Sequence, residues 1–270
     1  WILDCKTIWK KNISLEIGKL NFNIKIKKKS FINKHDKSTV DVLKDIDISI
    51  KSREFVCIVG PSGCGKTTLM NIIGGLVDGE NQKIFIDEKE LKVDENFGYV
   101  FQTSRLLPWL TVRENIELVC NDDSENNEMK INNLLKSFNL SEFESYYPKS
   151  ISGGMRRKVS LARALIRNPK ILLMDEPFVS LDQPTAENLY DVLVNYWRKK
   201  TITVILITHN LKEAILLGDR IIFFSKRPAS VVYDHKVQSK RGKLVIDNQS
   251  VQEEYIMLKK KFPSLLEGLI

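Results

Sequence analysis

Gly60-Pro61-Ser62-Gly63-Cys64-Gly65-Lys66-Thr67-Thr68 completes the pattern G-x-x-x-x-G-K-T, with Gly60, Gly65, Lys66 and Thr67 at its fixed places. The apolar run Phe55-Val56-Cys57-Ile58-Val59 leads into it, and Leu69-Met70-Asn71-Ile72-Ile73 leads out with helical character. A glycine-rich stretch alone is a flexible turn; between a strand and a helix it reads as a phosphate cradle. Glycines let successive N–H groups turn inward toward oxygen atoms. The start of the helix adds partial positive charge where a triphosphate is negative. Lys66 then reaches the β- and γ-phosphates, and the Thr67 hydroxyl ligates Mg²⁺. All nine residues are candidate contacts to a nucleoside triphosphate.

Length and composition set the frame. A chain of 270 residues with 43% hydrophobic and 28% charged residues suits a globular protein with a sizeable core. No apolar run approaches the ~20 residues of a membrane-spanning helix, and no secretory leader is expected. The four cysteines, Cys5, Cys57, Cys64 and Cys120, are scattered, without C-x-x-C. Neither a zinc site nor a disulfide framework is expected, and a reducing, cytoplasmic setting suits a thiol inside the phosphate loop. The net charge of +8 is uneven, with ten lysines against three acids in residues 1–40. That segment reads either as a basic flap for anionic lipid or nucleic acid or as a solvated extension. No aromatic interleaving accompanies the charge, which favours the extension.

Strand and helix patterns alternate along the chain, as in an α/β sheet. Strands are expected at 20–31, 42–50, 53–59, 83–87 and 96–101, with a helix at 65–75. From about 103 to 168 the pattern is mostly helical, interrupted by the polar stretch Asn121–Asn127. Strand character returns at Lys170–Asp175, Ile202–Thr208 and Arg220–Ser225, separated by helices near 185–199 and 210–217. A helical lobe inserted into a sheet-based core is the expected organisation. The tail carries a further expected strand, Ser230–Tyr233, and a helix, Val251–Lys261.

Ile171-Leu172-Leu173-Met174-Asp175-Glu176-Pro177 is an apolar strand ending in two acids. Carboxylates at the C-terminal edge of a parallel strand face the crevice where such sheets bind ligands. Two adjacent carboxylates on one metal would repel, so they need separate tasks. Asp175 suits Mg²⁺, and Glu176 suits a general base that polarises water. Read alone, Asp-Glu-Pro serves equally well as a helix start.

With Ser152-Gly153-Gly154-Met155 ahead of the helix Arg156–Arg167, the chain resembles the ATP-binding cassette (ABC) ATPases over about residues 20–235. The resemblance implies a P-loop NTPase cassette with a mixed sheet core, a small antiparallel β-subdomain and an inserted helical subdomain. It implies an ATPase domain at 1–235, with the helical part at about 103–168, and a C-terminal extension at 236–270. Ser152 and the backbone N–H groups of Gly153, Gly154 and Met155 would serve the γ-phosphate of ATP bound by a second copy of the chain. Gln102 resembles the Q-loop glutamine that touches Mg²⁺ and water. Asp182, in Ser180-Leu181-Asp182, resembles the D-loop acid and also suits a helix cap. His209 resembles the switch histidine that senses the γ-phosphate. Phe31 is the candidate to stack on adenine, against an equal reading as a core residue at a strand end.

Three positions depart from the family pattern: Ile151 for Leu, Met155 for Gln, and Asn210 for an acid. None removes a group that must touch phosphate or water. The segments Phe101–Asn115, Asp175–Asp182 and Arg227-Pro228 are similar to importers of nitrate, sulfonates and taurine. That similarity implies ATP and Mg²⁺ as cofactors, a homodimer, transmembrane permease subunits and, indirectly, a solute-binding protein. It also implies a peripheral position on the cytoplasmic face of the membrane and no nucleic acid. Leu106-Leu107-Pro108-Trp109 reads equally as a permease docking surface or as lobe core. A lipid-trafficking or efflux ATPase is the alternative within transport. A DNA-maintenance ATPase is less favoured, since no long coiled coil or zinc module separates the motifs.

Overall fold

The computed structural model describes residues 21–33, 37–79, 82–86, 89–90, 97–120, 124–239 and 244–263. Most of the lysine-rich N-terminal segment, Cys5 and part of the polar stretch Asn121–Asn127 lie outside them.

Period-two alternation builds the first sheet. In β1 (Asn21–Ile32), Phe22, Ile24 and Ile26 are buried while Asn23 and Lys25 between them are not. They pair across β2 (Thr39–Lys51) with Ile50, Ile48 and Ile46. β3 (Phe55–Val59) is buried along its whole length and runs into α1 (Lys66–Ile73). β4 (Lys83–Ile86) and β5 (Lys89–Glu90) complete a four-stranded antiparallel sheet in the order β2-β1-β4-β5.

β6 (Phe97–Val100) returns to the central layer, and the helices α2 (Val112–Glu117), α3 (Ser124–Ser137) and α4 (Gly153–Leu165) follow. A capping box starts α2: Thr111 accepts from the Glu114 N–H while Glu114 reaches back to the Thr111 N–H. The rest alternates as β7 (Ile171–Asp175), α5 (Gln183–Lys200), β8 (Thr203–Ile207), α6 (Leu211–Leu217), β9 (Arg220–Phe224), β10 (Val231–Lys236) and α7 (Gln249–Lys261).

The central sheet has the order β10-β9-β3-β8-β7-β6. β9, β3, β8, β7 and β6 run parallel, and β10 is antiparallel to β9. A parallel strand covered on both faces needs a continuous apolar run, which β3, β7 and β8 have. Successive residues feed opposite layers: Phe55, Cys57, Leu172 and Met174 pack toward the helices α4–α7. Val56, Ile58, Leu173 and Ile205 pack toward the antiparallel sheet and α1. The α/β class with a mixed central sheet and a small antiparallel sheet is as the sequence predicts.

Strand ends differ in places from the sequence expectation: β2 starts at Thr39 rather than at 42. β5 is a two-residue strand too short to read from a pattern, and β10 runs three residues beyond Tyr233. The extension holds because Asp234 pairs with Arg220 on β9, and His235 turns inward to a buried partner, Glu254 of α7, at 2.7 Å. The same helix buries Val251 and Leu258 in the main core.

Parallel pairing aligns the C-terminal ends of β3, β8 and β7. The Thr208 N–H donates to the Ile58 carbonyl at 3.2 Å, and the Glu176 N–H to the Ile207 carbonyl at 2.9 Å. Residues 60–66, 175–176 and 208–209 therefore leave the sheet side by side.

Gly98 sets how closely β6 approaches α4, since a Cβ there would lie 2.4 Å from the Ala164 carbonyl oxygen. Gly98→Ala is expected to destabilise the chain by about 1–3 kcal/mol, as overpacking does. The check is urea unfolding, in which the midpoint falls while the slope is retained; an unchanged midpoint contradicts the packing.

Candidate active site

The loop after β3 takes its shape from backbone that other residues resist. Gly63 has φ 74° and Gly65 φ 131°. A Cβ on Gly65 would also lie 2.8 Å from Val42 Cγ1. Lys66 is only 5% exposed, and its ammonium donates to the carbonyls of Gly60 at 2.8 Å and Pro61 at 2.9 Å. Burial pushes the Cys64 thiol up, against the pull of Lys66. From the far side of the loop, Arg227 donates to the Gly63 carbonyl. A cleft of about 340 Å³ opens there between Pro61–Cys64 and Lys226–Arg227.

Across β8 stand the two acids. Asp175 is 3% exposed, and burial raises its pKa; the Thr67 hydroxyl, donating to it, opposes that rise. The neighbouring Glu176 charge raises it further, while Lys66 and Arg105 pull it down. Glu176 holds φ 45°, a left-handed conformation that non-glycine residues seldom adopt and that clusters at functional sites. Its carboxylate lies between two partners: Gln102 Nε2 donates to Oε2 at 3.4 Å, and His209 Nδ1 lies 3.3 Å from Oε1. Neither acid starts a helix, because α5 begins at Gln183 with Asp182 as its cap. The structure thus gathers Lys66, Thr67, Asp175, Glu176, Gln102 and His209 at one sheet edge.

The remaining candidates lie elsewhere. Ser152 caps α4 and accepts from the Met155 N–H at 3.2 Å; its side chain and Gly153 are exposed. Gly154 packs so closely on Thr185 of α5 that a Cβ would lie 2.4 Å from Thr185 Cγ2. Asp182 accepts from the Thr185 N–H at 3.0 Å, and this bond lowers its pKa. Phe31 sits on the exposed end of β1 opposite Val40, with the Lys29 ammonium over its ring. Leu106 packs against the core, whereas Trp109 is 67% exposed and borders a cleft of about 540 Å³ with Pro108, Tyr147 and Lys149. Buried Asn115 fixes that segment by bonding the Leu107 N–H and the Leu107 and Leu110 carbonyls.

One group escaped the sequence reading. Glu213, buried on α6, accepts from Thr208 at 2.6 Å and Tyr190 at 2.9 Å, directly behind His209. Burial raises its pKa, and the two hydroxyls oppose the rise. An acid inside the apolar helix Leu211–Leu217 was the signal available. Asn210, where the family pattern has an acid, caps the same helix by accepting from the Lys212 N–H at 3.0 Å.

The donor chemistry fits a hard divalent cation, which prefers oxygen ligands and few carboxylates. The Asp175 carboxylate and Thr67 hydroxyl already touch, with the Gln102 amide on the same edge.

A glycine-shaped anion nest facing a buried carboxylate across one strand puts this chain among the P-loop nucleotide-hydrolysing proteins. Comparison narrows the class: the family described as ABC transporter matches residues 43–179, and the chain belongs to that family. It is 42% identical over 218 residues to an aliphatic sulfonates import ATP-binding protein, SsuB, of Bacillus cereus, spanning 80% of this chain and 86% of that one. The SsuB protein of Bacillus subtilis (strain 168) is 40% identical over 209 residues, 77% of this chain and 81% of the relative. Among solved structures, the dimeric post-hydrolysis state of the ATP-binding cassette MJ0796 bound to ADP and Pi is similar with a TM-score of 0.71 and 31% identity. That match covers 81% of this chain and all of the other. The chain is an ABC ATPase that binds ATP, and such cassettes work as dimers with membrane permeases. Among the described residues no helix is long and apolar enough to cross a membrane.

Asp175→Asn removes the buried charge while leaving an oxygen for Thr67. The native Asp175 pKa lies above its ordinary 3.8, so the folded state binds this proton more readily than the unfolded one. The stability penalty is therefore fully present above the native pKa and vanishes as pH falls through it. Without nucleotide, the variant is expected to unfold roughly 2–4 °C higher at neutral pH, the shift that about 1 kcal/mol produces in a chain of this size. The difference shrinks on acidification; a variant that melts lower at neutral pH contradicts the reading.

Proposed function

We propose that this chain is the ATP-hydrolysing subunit of an importer for a small anion, with sulfonates the favoured class. The observation that carries the hydrolytic part is Glu176, held in a left-handed conformation between Gln102 and His209. The relatives named as sulfonate importers support the solute class. The ATPase domain spans 1–235, with its helical subdomain at about 103–168, and 236–270 forms a C-terminal extension.

In this reading Gly60–Thr68 cradle the triphosphate, and Lys66 turns from its loop carbonyls to the β- and γ-phosphates. Thr67, Asp175 and Gln102 would hold Mg²⁺, which when bound would neutralise charge that develops on the phosphate oxygens. Glu176 accepts a proton from the attacking water, and His209 holds the γ-phosphate end of the site. Phosphoryl transfer asks mainly for positioning and charge stabilisation, which these side chains supply. Phe31 stacks on adenine.

Ser152, Gly153, Gly154 and Met155 face the triphosphate held by a second copy of the chain, with Asp182 crossing the same interface. ATP binds both surfaces of the closed dimer and so favours closure by differential affinity. Loss of the γ-phosphate releases the dimer. Exposed Trp109 and its cleft receive a permease segment, which sets the subunit peripherally on the cytoplasmic face. Solute selection belongs to the permease and an associated solute-binding protein.

Glu176→Gln tests the chemistry. Turnover is expected to fall about 10²- to 10⁴-fold, the range of general-base catalysis, while ATP binding persists and light scattering shows an ATP-dependent dimer. Undiminished turnover removes Glu176 from the role. For the solute, the chain reconstituted with its permease is expected to hydrolyse ATP faster when a sulfonate is supplied with the binding protein. Stimulation by a lipid instead points to a trafficking ATPase.

A further inference from the structure

The segment carrying Gln102 is fastened from two sides. On one side Phe101 stacks on Tyr99 with ring centroids 4.0 Å apart, and the Tyr99 hydroxyl donates to Asn71 Oδ1 on α1 at 3.0 Å. On the other side stands α4, the helix that Ser152 opens. Arg157, five residues after that cap, donates Nη1 to the Phe101 carbonyl at 3.0 Å and Nη2 to the Gln102 carbonyl. Arg163, further along α4, donates to the Ser104 carbonyl at 3.0 Å.

Arg157 is partly buried, and desolvation lowers its pKa with no carboxylate among the described residues opposing that shift. A cation in such a setting is held by the two carbonyl dipoles it bridges. A planar guanidinium fork can span consecutive carbonyls, which a single ammonium cannot do with the same geometry. The carboxamide at the far end of this clamp is the one that donates to Glu176.

We propose that Arg157 is a positioning residue for hydrolysis: it clamps Phe101 and Gln102 so that the Gln102 carboxamide meets Glu176 only when α4 stands in the right register. The inference rests on the proposed function above. Within one chain, the Ser152 end of α4 serves the ATP held by the partner copy, whereas Gln102 serves the chain's own ATP. A rigid helix that bears both Ser152 and Arg157 makes the two sites share one mechanical element. Occupancy of one site then biases catalysis at the other, which is a coupling free energy between them.

The test uses the purified full chain and steady-state Mg-ATP hydrolysis over a range of ATP concentrations. Misplacement of a catalytic group by about 1 Å can cost on the order of 10²-fold. Arg157→Ala is therefore expected to lower kcat roughly 10- to 100-fold with KM for ATP near the parent value, and to bring the Hill coefficient toward one. Arg157→Lys falls between. Combined with Gln102→Ala, either change adds no further loss, because both act through one carboxamide. If Arg157→Ala does not fold, the Arg157→Lys cycle with Gln102→Ala gives the same comparison. Parent kcat and Hill coefficient in Arg157→Lys and Arg157→Ala, or additive losses in the double variant, overturn the inference. A parent chain without Mg-ATP turnover sinks the proposed function itself. A parent slowed by Gln102→Ala yet indifferent to Arg157 sinks the Arg157 inference alone.

Discussion

Burial of charge at the C-terminal edge of the central sheet constrains everything else in this molecule. β3, β7 and β8 are apolar on both faces, so their side chains have no room for polar chemistry along the strands. Function is confined to where the strands end, and there Lys66 and Asp175 are almost wholly withdrawn from water. A desolvated charge is tolerated only with partners. Lys66 finds loop carbonyls, and Asp175 finds the Thr67 hydroxyl. A triphosphate would replace those carbonyls as acceptors for Lys66, and a divalent cation would take the Asp175 carboxylate and the Thr67 hydroxyl. The folded state therefore carries an unfavourable electrostatic term that its ligands are suited to relieve.

The left-handed turn at Glu176 extends the same logic to the backbone. Continuing β7 in extended geometry would send the next side chain to the opposite face of the sheet, away from Asp175's neighbours. With φ at 45°, the chain instead leaves the sheet at once, and the Glu176 carboxylate comes to rest against Gln102 and His209. The Glu176 N–H remains bonded to Ile207, so the turn starts from a fixed point. Ser180, also at positive φ, bends the chain again before Asp182 caps α5.

What the sequence disclosed divides along physical lines. Residues 60–68 carry their own geometry, because glycine spacing and a following helix define an anion nest without help from distant parts. The Asp175–Glu176 pair was legible as a strand end, yet its alternative as a helix start fell only once α5 was seen to begin at Gln183. His209 and Gln102 were named through family order alone; their approach to Glu176 arises from parallel strand pairing, which no local pattern encodes. Glu213, Tyr99 and Arg157 act through contacts between distant segments, such as the 55 residues separating Arg157 from Gln102. Polar residues of that kind resemble ordinary surface residues until the fold juxtaposes them. The two-residue β5 and the late end of β10 were missed for a simpler reason: tertiary pairing outweighs weak strand propensity.

Helix α4 is tied to its neighbours at two places. Near its start, Gly154 meets Thr185 so closely that only a glycine fits, which binds the turn Ser152–Met155 to the helix that Asp182 caps. One turn later, Arg157 grips the carbonyls of Phe101 and Gln102. A rigid body held at two separated points cannot rotate about either without disturbing the other. In the proposed dimer, a partner that draws Ser152 toward its own triphosphate would therefore shift Asp182, Gln102 or both. Gln102 in turn touches the carboxylate that faces the chain's own site. Communication between the proposed paired sites would then need no long relay, only one stiff helix with a close glycine contact at one end and a forked cation one turn away.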